Sequence, residues 1–559
     1  MPSAPKSATG ISLALAAQLA LATAGAMAAE PVTLDAVEFG LRGDGRTDDG
    51  PALQKMVAEA RALAGPKRMV FPAGARILVA SGTERYALRL DEVEDLVVEG
   101  RGATFLIDPE LRFLHATRCR ELELRDFNVT VAREVAVDGT VTGQSAPGRQ
   151  LAVRLDNPEQ HELLGGPTRE DGEQDFFGML QNEEDGIRDS HHYYVEGATT
   201  REDGTVVIAG RDPLPARWRQ RLAGGLVRIS LPVPGIAHRF GPGPMVRIDR
   251  CENVRFSQVE IWSAPWFAFE ILRNRGEVEF RAVHIRPQPG TGAATSSWRD
   301  GFHVKGNSGR LLFEDCIIEG THDDAFNVST HGWKVTEVLA PDRVRLRQVF
   351  PIQYMPMQEG GNLLILSADG TRRLLPANIV ALAAEAAEDV FDPREHKAPE
   401  VTLTLDRPVA GLAVGCLVWD LSTANPSTVI RRCTMGNSCR FQSPVTLEDC
   451  RSEALLYFYG DKLEGPLPSG STIRNSTMNK GRGNNTLAVA IKGWRDKAPS
   501  PLPPAAEFPL QNIRITGCTI RGDVSVDGLH GLDLDDNTFR EGRAIIVNPP
   551  PAGPGGAGN

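Results

Sequence analysis

Along most of the chain, apolar and polar residues alternate in short runs bounded by turn residues, the period of strands rather than helices. One unit recurs: an apolar residue, any residue, then Asp, Asn, Gly or Arg, then Cys, Asn or Ser, any residue, and a second apolar residue. It reads Phe313-Glu314-Asp315-Cys316-Ile317-Ile318 and returns over Ile430–Met435, Ile473–Met478, Ile515–Ile520 and Leu534–Phe539. Leu447–Cys450 is a partial copy, and Phe256–Ile261 and Phe280–Ile285 are looser ones. Equivalent positions lie 24 (Val259 to Val283), 17 (Cys433 to Cys450) and 19 (Cys518 to Asn537) residues apart. Such a period also suits leucine-rich repeats, but those need a leucine ladder and helical connections, and neither is visible. Stacked coils of a parallel β-helix fit better, each burying its inward side chains on the last. The recurrent Cys, Asn or Ser then sits at a turn in an interior ladder. Cysteine packs there as a small hydrophobe, so Cys316, Cys433, Cys450 and Cys518 are read as packing residues, not disulfide partners.

The fold class predicted is therefore all-β: a right-handed parallel β-helix with an N-terminal capping helix and two inserted antiparallel β units. The capping helix follows from Gly43-Asp44-Gly45-Arg46-Thr47-Asp48-Asp49 leading into Ala52–Ala60 and then Met69-Val70-Phe71-Pro72, a strand, Asp-capped helix and strand. This opening resembles that of pectinase-like β-helix enzymes, in which a helix covers the open end of the core. Asp48 and Asp49 are read as helix caps rather than catalytic acids. The repeat is broken at 132–247 and 333–425, which carry alternating segments such as Thr205–Ile208 and Val401–Leu405; Ala381–Glu388 reads as a short helix. The chain divides into a signal segment (1–28), a first β-helix part (29–131), an inserted unit (132–247), the catalytic coils (248–332), a second inserted unit (333–425), a C-terminal β-helix part (426–546) and a disordered Pro/Gly-rich tail (547–559). Lys497–Pro509 reads as a Pro-rich loop.

Composition narrows the partners. Lys+Arg (61) minus Asp+Glu (72) leaves a net charge of −11 in 559 residues. An acidic chain without a basic block is a poor binder of nucleic acid or of a polyanionic polymer, so a neutral ligand is favoured. Met1–Ala28 has the plan of a secretory signal: Lys6, an apolar run from Ile11, then Ala26-Met27-Ala28. The run is too short for a membrane span, and a secreted or periplasmic location is expected. The eight cysteines include no Cys-x-x-Cys pair, so no zinc site is expected. No metal or other cofactor is called for, and the oligomeric state is left open.

Candidate chemistry concentrates between the insertions, in Trp298-Arg299-Asp300-Gly301-Phe302-His303-Val304-Lys305 and Glu319-Gly320-Thr321-His322-Asp323-Asp324-Ala325-Phe326-Asn327. Asp300 and Asp323 are 23 residues apart, one coil, and stacked strands are ~4.8 Å apart. Three carboxylates should therefore meet on one patch. Like charges so close cannot all ionise cheaply, so one carboxyl should keep its proton beside an ionised neighbour, the pairing glycosidic hydrolysis needs. Asp300, Asp323 and Asp324 are the predicted catalytic residues. His303, Lys305, Asn327, His331 and Arg440 are predicted donors to sugar hydroxyls, and Trp333 (with Trp266) a flat face for a pyranose ring. Period-two alternation sets Asp300 and Phe302 on one face and His303 on the other, which would bury His303. His191-His192 is read as a surface loop.

The Asp-Gly followed one coil later by Asp-Asp resembles family 28 of the glycoside hydrolases, the polygalacturonases, and more closely family 110, the bacterial α-1,3-galactosidases. The likeness extends through Cys416–Ser422, Asn425-Pro426, Val429–Cys433, Asn437–Phe441 and Tyr459-Gly460-Asp461. It implies an inverting hydrolase of terminal α-linked galactose on a β-helix interrupted by β-barrel units. By analogy with related β-helix hydrolases it assigns Asp323 as general acid, with Asp300 and Asp324 holding the water. Two other classes fit the scaffold: a polysaccharide lyase, which needs a Lys or Arg base and usually calcium, and a non-catalytic glycan-binding protein.

Overall fold

The computed structural model describes residues 30–549 apart from 146–147, 165–176, 185–186, 225–226, 235, 237–242, 351–353, 385–397, 462–463, 481–485 and 495–497. The predicted signal segment and the last ten residues of the predicted tail lie outside the described residues. The chain winds into a parallel β-helix whose coils contribute to two long sheets, one of 20 strands and one of 12. Parallel register runs rung to rung, as in Phe256↔Phe280 and Phe280↔Phe313 on the larger sheet, and Phe269↔Phe302 and Phe302↔Phe326 on the smaller.

The repeated unit has a local cause. Its third residue sits in the left-handed region: Asp315, Arg432, Asp449, Asn475, Gly517 and Asp536 have φ of 56°, 51°, 54°, 51°, 65° and 57°. Asp, Asn and Gly reach that conformation most readily, which accounts for most of the recurring choices. The turn throws the next side chain into the core, and Cys316, Cys433, Cys450, Ser476 and Cys518 are all buried there. All eight cysteines are free and buried. Between the sheets, Phe256, Phe280 and Phe313 stack at 5.3 and 5.0 Å, and Phe269, Phe302 and Phe326 at 5.1 and 5.0 Å. Each such burial contributes ~1.5–3 kcal/mol, so the aromatic column is a major stabiliser of the coils that carry the site.

Helix Gly50–Ala62 covers the N-terminal end of the core with Leu53, Met56 and Ala60. Asp48 Oδ1 accepts from the backbone N–H of Gly50, the first helical residue, at 3.0 Å and of Ala80 at 2.8 Å, whereas the N-cap position falls on Asp49, whose side chain makes no cap bond. Asp49 instead turns back to accept from the N–H groups of Arg42 and Gly43 at 2.7 and 3.0 Å.

Two closed antiparallel barrels interrupt the coils. The first is built from strands between Ala136 and Pro232, the second from strands between Trp333 and Asp420. Each has its own core, around Trp218 in the first and Trp333 in the second. Two expectations change here. Ala381–Ala384 is the end of strand Ala377–Ala384, not a helix, because Ala381–Ala384 pair with Val401–Thr404 and pairing overrides the helical propensity of an alanine-rich run; residues 385–388 lie outside the described residues. His191-His192 is not a surface loop but part of strand Ile187–Thr200, with His191 stacked on Trp218 at 5.9 Å.

Candidate active site

Successive rungs of the 12-strand sheet bring Glu270, His303, Asn327, Arg440 and Tyr457 into one row. Phe302, Val304, Phe326 and Val328 fill the core, so alternation turns His303, Lys305, Asn327 and Ser329 to the outer face. The aspartates lie on the corners just before these strands. Asp300 and Asp324 are true rung neighbours: the Gly301 N–H donates to the Asp324 carbonyl at 2.9 Å, and the Asp324 N–H to Asp300 Oδ1 at 3.3 Å. Asp300, Asp323 and Asp324 each present an oxygen within 4.8 Å of the others.

His303 is not turned away. Strand pairing starts at Phe302, so alternation does not carry back round the corner to Asp300, and His303 Nδ1 and Asp300 Oδ2 share a hydrogen bond of 2.6 Å. Burial, with Lys305 nearby, holds the imidazole down at about 3, so it is neutral. Burial raises Asp300 well above the usual carboxylate range, and repulsion from Asp323 adds to this. Asp324 is raised chiefly by burial, with Arg440 opposing and the other two aspartates adding. Arg299 pairs with Asp323 at 3.1 Å and Arg440 with Asp324 at 3.2 Å. Three carboxylate oxygens this close have the chemistry to hold a hard divalent cation. Here, however, two guanidiniums already face them.

The predicted sugar-contacting residues divide. Arg440 (34% exposed) and His303 (14%) reach solvent, as do Asp323 (28%) and Arg299 (16%). Asn327 is 4% exposed and lies 3.5 Å from Asp324. Lys305 is wholly buried; its ammonium donates to Asn327 Oδ1 (2.9 Å), Glu464 Oε1 (2.8 Å) and Ser329 Oγ. Those three acceptors use its three donors, so Lys305 braces the site rather than binding sugar. Trp333 is buried in the second barrel with its ring against Tyr354, which removes it as a platform. His331 is 3% exposed, packed edge-on against Phe350. Arg299 lies over the ring of Trp266 at 5.0 Å and occupies one face of that indole.

Glu464 was not found from sequence. It sits on a short strand, Glu464–Gly465, that pairs antiparallel with Thr330–His331 and covers the outer face beside Lys305. Burial would raise its carboxyl, but Lys305 and His331 more than reverse that and bring it to about 2. Phe267, stacked on His303 at 4.2 Å, was missed as well.

The first barrel holds both aspartate corners. Asp138 accepts from the Ala294 N–H at 3.0 Å, and His192 Nε2 lies 2.9 Å from the His322 carbonyl. Thr295 and His322 Nε2 are themselves 3.0 Å apart, joining the corners to each other.

Curated relatives of the chain are α-1,3-galactosidases. The chain is 22% identical to α-1,3-galactosidase B of Bacteroides thetaiotaomicron over 72% of its own length and 66% of that protein's. It is 24% identical to α-1,3-galactosidase A of Streptomyces avermitilis (75% and 72%) and 21% to that of Bacteroides fragilis (79% and 72%). The chain is a homologue of the α-1,3-galactosidases. Kinship to α-1,3-galactosidases supports a glycoside hydrolase acting on a carbohydrate. The chain spans about two thirds to seven tenths of these relatives. No family model matches. Among solved structures, the family 28 exopolygalacturonase of Yersinia enterocolitica aligns over 94% of this chain and 80% of its own at 10% identity, TM-score 0.35. The exopolygalacturonase of Thermotoga maritima aligns over 93% and 91% at 13% identity, TM-score 0.31. The β-helix assignment stands on the strand pairing itself.

Proposed function

We propose that the protein is an exported, exo-acting α-galactosidase that removes terminal α-linked galactose with the Asp300–Asp323–Asp324 cluster. The observation that carries this reading is the meeting of three carboxylates within 4.8 Å, two of them with raised pKa values. Such a cluster keeps a proton that passes between neighbouring carboxyls and leaves one of them ionised. Asp323, the most open of the three, protonates the departing glycosidic oxygen. Water adds to the anomeric carbon as that bond breaks, and its proton passes to the Asp300–Asp324 pair. Arg440 favours the ionised form of Asp324, and His303 fixes Asp300. The proton then returns to Asp323 across the same short gap, so the cluster is restored each cycle. Export is proposed from the Met1–Ala28 pattern alone.

Inversion of the anomeric centre is proposed from resemblance to family 110. The oxygen spacing favours the other course: acid and base usually stand ~6.5–9.5 Å apart for inversion and ~5–5.5 Å for retention. A lyase reading loses Lys305 as its base, because all three of its donors are engaged, and the arginines at the site, Arg299 and Arg440, are paired with Asp323 and Asp324. The test is a screen of chromogenic α-galactosides and Gal-α1,3-Gal, with the first-formed anomer read by NMR. Release of β-galactose supports the reading in full, α-galactose replaces inversion by retention, and binding without release rejects the hydrolase.

A further inference from the structure

Glu464 and Arg440 face each other across a gap that neither closes. Arg440 Nη1 and Glu464 Oε2 are 3.9 Å apart, inside ion-pair range but too far for a hydrogen bond. Both side chains are anchored by their other atoms. Arg440 Nε is held by Asp324 at 3.2 Å, and Glu464 Oε1 by Lys305 at 2.8 Å. The Glu464 backbone is fixed too: its N–H donates to Asp461 Oδ1 at 2.7 Å, and its carbonyl accepts from the Asp461 N–H at 2.9 Å. Among the described residues, Glu464 Oε2 accepts no hydrogen bond and the Arg440 Nη groups donate none. A fixed acceptor and a fixed donor thus stand side by side, next to the catalytic aspartates and partly open to solvent.

We propose that this gap is a clamp for a single ring hydroxyl of the terminal sugar, and that Glu464 with Arg440 determines which pyranose the site accepts. The proposal rests on the reading of the cluster as a glycosidase site and says how that site selects its substrate. The geometry suits a hydroxyl: an oxygen ~2.9 Å from Nη1 and ~2.7 Å from Oε2 would subtend an angle of about 90° over a 3.9 Å base. A hydroxyl both accepts and donates, so it satisfies the guanidinium and the carboxylate together. A sugar with the hydroxyl absent or epimerised leaves a desolvated charge on each side. Sites built to bond a hydroxyl reject the analogue lacking it by roughly 10⁴–10⁵. Because Lys305 and His331 keep Glu464 ionised, the acceptor persists well below neutral pH.

The test is a cycle between enzyme and substrate. Wild type and Glu464→Gln are assayed for kcat/KM on p-nitrophenyl α-galactoside and its 2-, 3-, 4- and 6-deoxy forms, each protein's penalties being taken against its own rate on the parent sugar. The expected result is that one deoxy position costs wild type at least 10³-fold, while the same position costs Glu464→Gln less than tenfold. The other positions keep their wild-type penalties. A purely bracing role would lower every substrate by one factor and leave all penalties unchanged, and that result overturns the clamp. Should wild type release no galactose, the failure lies with the function reading. The clamp is then judged by calorimetry with neutral monosaccharides: binding of one that Glu464→Gln abolishes upholds it, and binding of none overturns it.

Discussion

Lys305→Met offers the sharpest structural test. The substitution keeps most of the side chain's volume and removes a wholly buried ammonium that holds Glu464, Asn327 and Ser329. Glu464 sits at about 2 against an ordinary 4.5, a stabilisation of about 3 kcal/mol at 1.36 kcal/mol per tenfold change in proton affinity. Loss of one partner of a buried pair costs ~3–5 kcal/mol, in agreement. At about 1 kcal/mol per degree for a chain of several hundred residues, the Tm should fall by roughly 3–5 °C at pH 7. The sign follows from the lowered pKa: the Glu464 contribution is present above about 4.5 and is lost as pH falls toward 2. The deficit of the variant should therefore shrink as the pH is lowered to 4 and below. Thermal unfolding followed by circular dichroism, for Lys305→Met, Glu464→Gln and the double variant, completes the cycle. The double variant should lose little more than either single one. Costs that add within ~0.5 kcal/mol would refute the coupling.

Asp300→Asn should abolish turnover yet melt higher than wild type at pH 7. Its raised pKa means that stability is greatest below the ordinary carboxylate pKa and declines as pH climbs through the folded value, a slope the amide removes; an unchanged pH–Tm profile would count against it. His192→Phe, which breaks the bond to the His322 carbonyl, should lower kcat by roughly tenfold to a hundredfold with little change in KM in protein shown by circular dichroism to be fully folded, since small misplacements of catalytic groups carry that cost; an unchanged kcat would count against it. Activity should survive exhaustive EDTA treatment, because Arg299 and Arg440 already face the three carboxylates; loss restored by added calcium would contradict this.

Sequence reasoning reached the fold because the β-helix repeats its local instructions. A left-handed Asp, Asn or Gly before an inward Cys or Ser is the same decision at Asp315-Cys316, Asp449-Cys450 and Asn475-Ser476, so it can be read without knowing what packs on it. The aspartate cluster was legible for a related reason: one coil separates its members, although the true register pairs Asp300 with Asp324 rather than Asp323. What failed was what depends on distance. Glu464 meets Lys305 across 159 residues, and His192 meets His322 across 130, with no periodic signal to announce either. Lys305 and Trp333 were misjudged because residue type offers chemistry, while burial and saturated donors decide whether it is available. The alanine-rich run at Ala381 misled in the same way, its propensity overridden by a partner strand.

The central claim is that winding the chain into rungs builds a hydrolytic centre from Asp300, Asp323 and Asp324. Purified wild type and Asp324→Asn, matched for folding by circular dichroism, should be given Gal-α1,3-Gal and the released galactose quantified. The account predicts turnover by the wild type and a loss of at least 10³-fold in the variant. Undiminished release by Asp324→Asn would contradict it.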